Sequence, residues 1–188
     1  MREYVTPDYV TGNEIKLIRN ILGMTQKEFA AFVNASKRTV ERWESTEEPI
    51  TGPIVPLVDI LIKKNDYPQM LRIPEMQYGL RLCYMYHSFV CTIIDVDEME
   101  RRVVIHNYFT NPFYRAFGIN TEPTYEDYEE FLESRCFPET RDKIKLELKK
   151  LDIPFFDPIM IIEKTEGRMA EDDFWIKIER RLTHDQVI

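Results

Sequence analysis

Between Ile15 and Leu61 the apolar positions recur three and four residues apart, and residues that start or stop helices interrupt them at short intervals. Ile15, Ile18 and Leu22 share one face of a first helix, and Gly23 supplies its C-terminal stop. Thr25 followed by Glu28 has capping-box spacing, which predicts a second helix that buries Phe29, Ala30 and Val33 and ends near Asn34. Ser36 caps a third helix running to Trp43 and Glu44, so the second and third are joined by a tight turn. A fourth follows Pro53 with Ile54, Leu57, Val58 and Leu61 inside.

Pro68 and Pro74 interrupt the pattern between Asn65 and Glu75, and beyond them the period becomes strand-like. Leu80–Met85, Phe89–Val96 and Arg101–Tyr108 are rich in β-branched and aromatic residues, and His87-Ser88 and Glu98-Met99-Glu100 separate them as turns of an antiparallel meander. Helical signals then return. Thr124 with Asp127 caps a helix through about Arg135, Thr140 caps another through about Lys150, and Pro158 starts a short third. Phe174–Ile178 alternates and is expected to return to the sheet as a strand. The predicted fold class is an all-α, λ-repressor-like helix-turn-helix domain (1–66), a linker (67–76), and an α+β domain (77–188) with a small antiparallel sheet and about three helices.

The layout from Ile15 to Glu44 is that of a helix-turn-helix, whose last helix fits the DNA major groove. Lys37, Arg38, Thr39 and Arg42, behind the cap Ser36, are the expected reading residues. Thr25, Gln26 and Lys27 open the second helix, where backbone N–H groups and the positive dipole end favour a phosphate. Such contacts position a protein on DNA rather than specify sequence. The ordered set Thr25-Gln26, Ala30, Val40, Trp43-Glu44 and Ile50-Thr51-Gly52-Pro53 resembles the Cro/C1-type (XRE-like) helix-turn-helix regulators of phage repressors and antitoxins, across residues 12–64. The resemblance implies an ion pair between Arg19 and Glu44 and binding to double-stranded DNA. One such motif buries too little to specify a site strongly, so a homodimer on an inverted-repeat operator is expected.

Charge refines this picture. Lys and Arg number ten against ten Asp and Glu in residues 1–74, but fifteen against twenty-three in residues 75–188, giving the net charge of −8. Nucleic-acid-binding domains are usually basic, so a groove contact here must be local to the third helix, with the acidic part facing away from the duplex. Three cysteines without a C-x-x-C fit a reducing cytoplasm, and the chain has no long apolar run or signal-peptide pattern. A cytoplasmic protein without membrane association is expected.

Catalytic equipment is absent from the pattern. The six glycines lie too far apart for a phosphate loop, and His87, His106 and His184 adjoin no nucleophile motif, so no enzyme activity, catalytic residue or cofactor is expected. Cys83, His87 and Cys91 are evenly spaced across the first predicted hairpin and carry metal-binding groups, yet cysteines in apolar strands are more often buried hydrophobes. The core reading is preferred and no metal is expected. The acidic residues from Glu122 to Glu133 read as a solvated helix face before a docking surface, and Tyr108, Phe109, Phe113, Tyr114 and Phe117 as sheet-to-helix packing before a ligand groove.

Phe131, Leu132, Pro138, Arg141, Asp157, Ile161, Gly167 and Ile176 lie in a series that resembles the small N-terminal subdomain of HipA-type serine/threonine kinase toxins, which in some systems is a separate antitoxin. The chain lacks a counterpart of the kinase core. Together the two resemblances imply an autoregulatory antitoxin that binds its operator and a HipA-like kinase toxin. The alternative is a one-component transcription factor whose second part senses a small molecule or dimerises.

Overall fold

The computed structural model describes residues 4–181. Contacts divide the chain into two units, Met1–Ile73 and Pro74–Ile188. In the first, Thr11 opens helix α1 (Gly12–Ile21) with a capping box to Glu14, and Thr25 opens α2 (Gln26–Phe32) in the same way. Ser36 caps α3 (Lys37–Ser45), Pro53 precedes α4 (Ile54–Lys63), and α5 (Tyr67–Met70) follows. Ile15, Ile18, Phe29, Val40, Val58 and Leu61 are fully buried in one cluster drawn from α1 to α4. Leu57 and Val33 pack at its margin. Gly23 takes φ +65°, a left-handed conformation that ends α1 at little cost in glycine. Gly12 serves another purpose, because a Cβ there would run into the backbone carbonyl of Trp43.

In the second unit, β1 (Leu80–Tyr86), β2 (Phe89–Asp97), β3 (Arg102–Asn107) and β4 (Phe174–Arg180) form one antiparallel sheet in the order β3-β2-β1-β4. A 3-10 turn at Pro112–Tyr114 and helices α6 (Tyr125–Ser134), α7 (Ile144–Lys150) and α8 (Pro158–Thr165) lie between β3 and β4 in sequence. Leu80, Leu82 and Tyr84 alternate onto one sheet face, where they join Ile94, Phe174 and Ile176 and pack on Tyr128, Phe131 and Leu132 of α6 and Ile161 and Ile162 of α8. The opposite face carries a smaller cluster of Cys83, Met85 and Ile93, edged by Val90, Tyr108 and Trp175. Phe109, Tyr114 and Phe117 pack against the main cluster, whereas Phe113 is exposed.

Two buried arginines tie this unit together. Arg81 makes a two-point pair with Asp95 across β1 and β2, at 2.6 and 2.8 Å. Arg135, at the end of α6, pairs with Asp172 at 2.7 Å and donates to the carbonyls of Gly167 and Phe174. It joins the end of α6 to the start of β4.

The expected fold class is corrected by these observations. The chain is not an all-α helix-turn-helix domain followed by a separate α+β domain; its described residues form eight α-helices and one four-stranded antiparallel sheet. The helical part is itself not purely α, because Val10 and Ile50 exchange both backbone hydrogen bonds, at 2.9 and 2.8 Å, in an antiparallel bridge. Helical periodicity is blind to a single bridge of that kind. The stretch 67–76 contains α5, whose Pro68 stands in the first turn, where a missing N–H breaks no bond. Thr140 caps nothing: the Arg141 N–H closes a turn onto Pro138, and Lys143 at φ +64° delays α7 to Ile144.

Removing Arg135 leaves the carbonyls of Gly167 and Phe174 without their buried donor, so Arg135→Ala should lower unfolding free energy by about 2–3 kcal/mol in a urea titration. The Arg135 hydrogen bonds hold the Asp172 carboxyl below its ordinary value of 3.8. That contribution is therefore complete above 3.8 and disappears as pH falls through the lowered folded-state value. Urea midpoints measured on either side of that window should fall on acidification, and Asp172→Asn should lose part of the dependence.

Candidate nucleic-acid interface

The α2–α3 pair is shaped by its caps. The Thr25 hydroxyl accepts from the Glu28 N–H at 3.2 Å while the Glu28 carboxylate accepts from the Thr25 N–H at 2.7 Å. Hydrogen bonding to Thr25 keeps the Glu28 carboxyl below the usual range. Val33 ends α2, Asn34 turns the chain at φ +53°, and Ser36 accepts from the Thr39 N–H at 3.0 Å to begin α3. The Ser36 and Thr39 hydroxyls are also bonded to each other at 2.8 Å. Thr25, Ser36 and Thr39 thus each have a local structural task at the site where a nucleic-acid role was expected.

With Val40 in the core and Trp43 half-buried, α3 turns its remaining face outward. Lys37, Arg38 and Arg42 are exposed on it. Lys37 is shared with Glu41 at 3.0 Å, one turn along the same helix. Arg38 and Arg42, also one turn apart, have no acidic partner among the described residues, and neither does exposed Lys27. The arrangement is a short cationic strip on a rigid helix, able to contact phosphates or the acceptor edge of guanine.

Glu44 governs the orientation of that strip. Its side chain is only 6 % exposed and accepts from Arg19 Nε at 2.6 Å, Arg19 Nη2 at 3.2 Å and Gln26 Nε2 at 2.9 Å. Burial alone would raise the Glu44 pKa, but the hydrogen bonds from Arg19 and Gln26 and the charge of Arg19 leave it lowered. Arg19 also donates to the Met24 carbonyl. The pairing of Arg19 with Glu44 accordingly links α1 to the end of α3, and Gln26 directs its amide to that pair. The Gln26 hydrogen bond was not foreseen from sequence, since nothing local to Gln26 marks Glu44 as its neighbour.

The other groups singled out in the sequence lie apart. Cys83 and Cys91 face opposite sides of the sheet, because an irregularity between Tyr84 and Met85 leaves Cys91 out of register and turns it into the main core. Burial pushes the Cys91 thiol up to about 11 and the Cys136 thiol up to about 12. His87 sits at the hairpin tip, 3.6 Å from Asp173, and His106 of β3 packs against Tyr108 just beyond the strand. His184 lies outside the described residues. Among the described residues no helix is long and apolar enough to cross a membrane.

No family model, curated protein or solved structure matches the chain.

Because Glu44 is enclosed by its donors, Glu44→Ala strands the Arg19 guanidinium and should cost about 3 kcal/mol in thermal or urea unfolding. Arg38→Ala, at an exposed position without a partner, should change stability by no more than about 0.5 kcal/mol. Equal losses for the two variants would contradict this division between scaffold and surface.

Proposed function

We propose that the protein is a sequence-specific DNA-binding transcription regulator that reads the major groove with α3. The observation that carries this reading is the pair of exposed, unpartnered guanidinium groups of Arg38 and Arg42 on a helix held by Val40 and by the Glu44 hydrogen bonds. Rigid presentation favours base reading because the side chains need not be reoriented on binding. Lys37 completes the strip, while Gln26 and Lys27, beside the Thr25–Glu28 capping box that uses the N–H groups of Thr25 and Glu28, are the positions of the α2 N-terminus left to approach a phosphate, with Thr25 positioning them. The partner is an inverted repeat bound by a homodimer, with half-sites about one helical turn apart.

A second part of the proposal concerns residues 74–181. The positions that resemble the HipA-type subdomain form much of the packed framework of this unit: Phe131, Leu132, Ile161 and Ile176 share one core, and Asp157 caps α8. Gly167 lies against Ile176 and Arg135. On the resemblance of these positions we infer a protein-docking role as antitoxin toward a HipA-like kinase. Docking beside the nucleotide lobe would restrain the movements phosphoryl transfer requires. In the competing role, a one-component regulator, this unit would only dimerise or sense a small molecule.

Gel-shift titrations against operator fragments selected from random DNA test the first part. Arg38→Ala should cost about 1–3 kcal/mol and relax specificity at one position if Arg38 makes a bidentate base contact. Lys27→Ala should weaken all sequences alike and reduce the salt slope by about one. Unchanged affinity and specificity in Lys37→Ala, Arg38→Ala and Arg42→Ala would remove α3 as the reader. For the second part, the full chain should form a complex with a kinase encoded beside it and relieve that kinase's toxicity, with Arg38→Ala still neutralising. Absence of a complex on size-exclusion chromatography would leave the one-component regulator.

A further inference from the structure

β4 is an outer strand of the sheet, so β1 covers only one of its two edges. Two bonds fix the phase of that pairing: the Arg181 N–H donates to the Gly79 carbonyl at 2.9 Å, and the His87 N–H donates to the Asp173 carbonyl at 3.4 Å. Backbone groups alternate sides along a strand, so Trp175, Lys177 and Glu179 turn theirs toward β1 while Ile176, Ile178 and Arg180 turn theirs outward.

The outward groups are occupied up to one point and no further. The Phe174 N–H donates to Asp172 Oδ1 at 3.0 Å, the Phe174 carbonyl accepts from Arg135 at 2.9 Å, and the Ile176 N–H donates to the Glu166 carbonyl at 2.7 Å. From the Ile176 carbonyl, through the N–H and carbonyl of Ile178, to the Arg180 N–H, the outer edge has no backbone partner among the described residues. A groove of about 300 Å³ runs along this stretch, with Ile162 and Glu163 of α8 on its other side. The edge is therefore open, and α8 does not seal it.

A lysine on an open edge is ordinarily a guard, because its charge deters further strand pairing. On β4 the guard is matched two residues later by Glu179, and the match selects one occupant. Laid antiparallel on a second copy of itself about Ile178, the open stretch is self-complementary: Ile178 exchanges both bonds with Ile178 of that copy, and each Arg180 N–H meets a free Ile176 carbonyl. In the same register Lys177 stands opposite Glu179 of the second copy, and Glu179 opposite its Lys177. The two side chains are 57 % and 41 % exposed and joined at 2.6 Å within one strand, so charges alternate in sign around the two-fold axis. Centred on Lys177 or on Glu179 instead, the pairing sets like charges against each other. The opposite edge of the sheet, β3, has no carboxylate in its six residues and offers no such match.

We propose that the protein self-associates through β4, by antiparallel pairing of Ile176–Arg180 with the same residues of a second copy, so that one sheet continues across the two-fold axis. The proposal goes beyond the DNA-binding reading, which calls for a homodimer without placing its interface.

Sedimentation velocity of the full chain without DNA tests it, in about 0.15 M salt so that repulsion between the two acidic chains is screened. The interface is small, and a monomer–dimer equilibrium with a dissociation constant of about 10–100 μM is expected. Lys177→Glu and Glu179→Lys should each weaken it about tenfold or more, since each sets like charges opposite each other on both sides of the axis. Mixing these two proteins should restore association as a heterodimer, although neither chain regains the Lys177–Glu179 pair within its own strand. Hydrogen exchange reads the register: the Ile178 and Arg180 amides should slow as protein concentration rises, while the Lys177 and Glu179 amides, bonded to β1, exchange slowly throughout. A chain that stays monomeric at about 500 μM, or a dimer indifferent to both charge reversals, would overturn the proposal. So would Ile178 and Arg180 amides already protected in the dilute monomer, which would assign the edge to residues 182–188 of the same chain.

Discussion

The geometry of the helical unit hangs on one enclosed carboxylate. Glu44 sits near the end of α3 and gathers hydrogen bonds from Arg19 on α1 and Gln26 on α2, so a single side chain sets the mutual angle of all three. Pairs of this kind contribute little net stability, because desolvation offsets the attraction, but they penalise other arrangements heavily. The hydrophobic cluster of Ile15, Ile18, Phe29 and Val40 supplies the driving force and tolerates small rotations of its members. Glu44 does not. Gly12 reinforces the same joint, where the start of α1 meets the backbone at the end of α3 too closely for any side chain.

A similar economy appears in the sheet unit. Arg135 donates to Asp172, Gly167 and Phe174, and so fastens the end of α6 to the strand that enters the sheet last. β4 lies beside β1 although some ninety residues of chain separate them, a long loop closure whose entropy must be recovered by contacts. The stacking of Tyr84 on Phe174, at 4.8 Å between ring centroids and 6° between planes, lies beside the arginine and gives part of that return.

Charge is divided between these frameworks in a way that bears on recognition. The cations of α3 stand in a unit of balanced charge, whereas the second unit is acidic overall. Within the acidic run of α6 the roles differ by residue: Asp127 completes a capping box with Thr124, Glu126 and Glu129 hold Arg101, and Glu133 borders a tyrosine-lined cleft. A count of carboxylates would treat them alike. Their surroundings separate helix capping from local pairing and from plain solvent exposure.

Local features were legible in the sequence because their causes are local. Thr25 with Glu28, Ser36, Thr124 with Asp127, and Pro158 act within one helical turn, and the periods of Ile15–Leu22 and Leu80–Leu82–Tyr84 record which face is buried. The exposed positions of Lys37, Arg38 and Arg42 follow from the same period once Val40 faces inward. The pairing of Arg19 with Glu44 entered only through resemblance, since no local rule joins residues twenty-five apart. What sequence could not supply depends on distant groups meeting. The Val10–Ile50 bridge replaced an all-α expectation, Lys143 in a left-handed conformation displaced the start of α7, and an irregular register sent Cys91 away from Cys83. Gln26 found Glu44, Arg135 found Asp172, and Tyr128 was left without a partner, all by tertiary packing. The sequence by itself determined helices, strands and their buried faces, because short-range sterics and hydrophobic period fix those. Only the tertiary structure decided which polar groups pair and which remain open, because hydrogen bonds act over a few ångströms that chain distance does not encode.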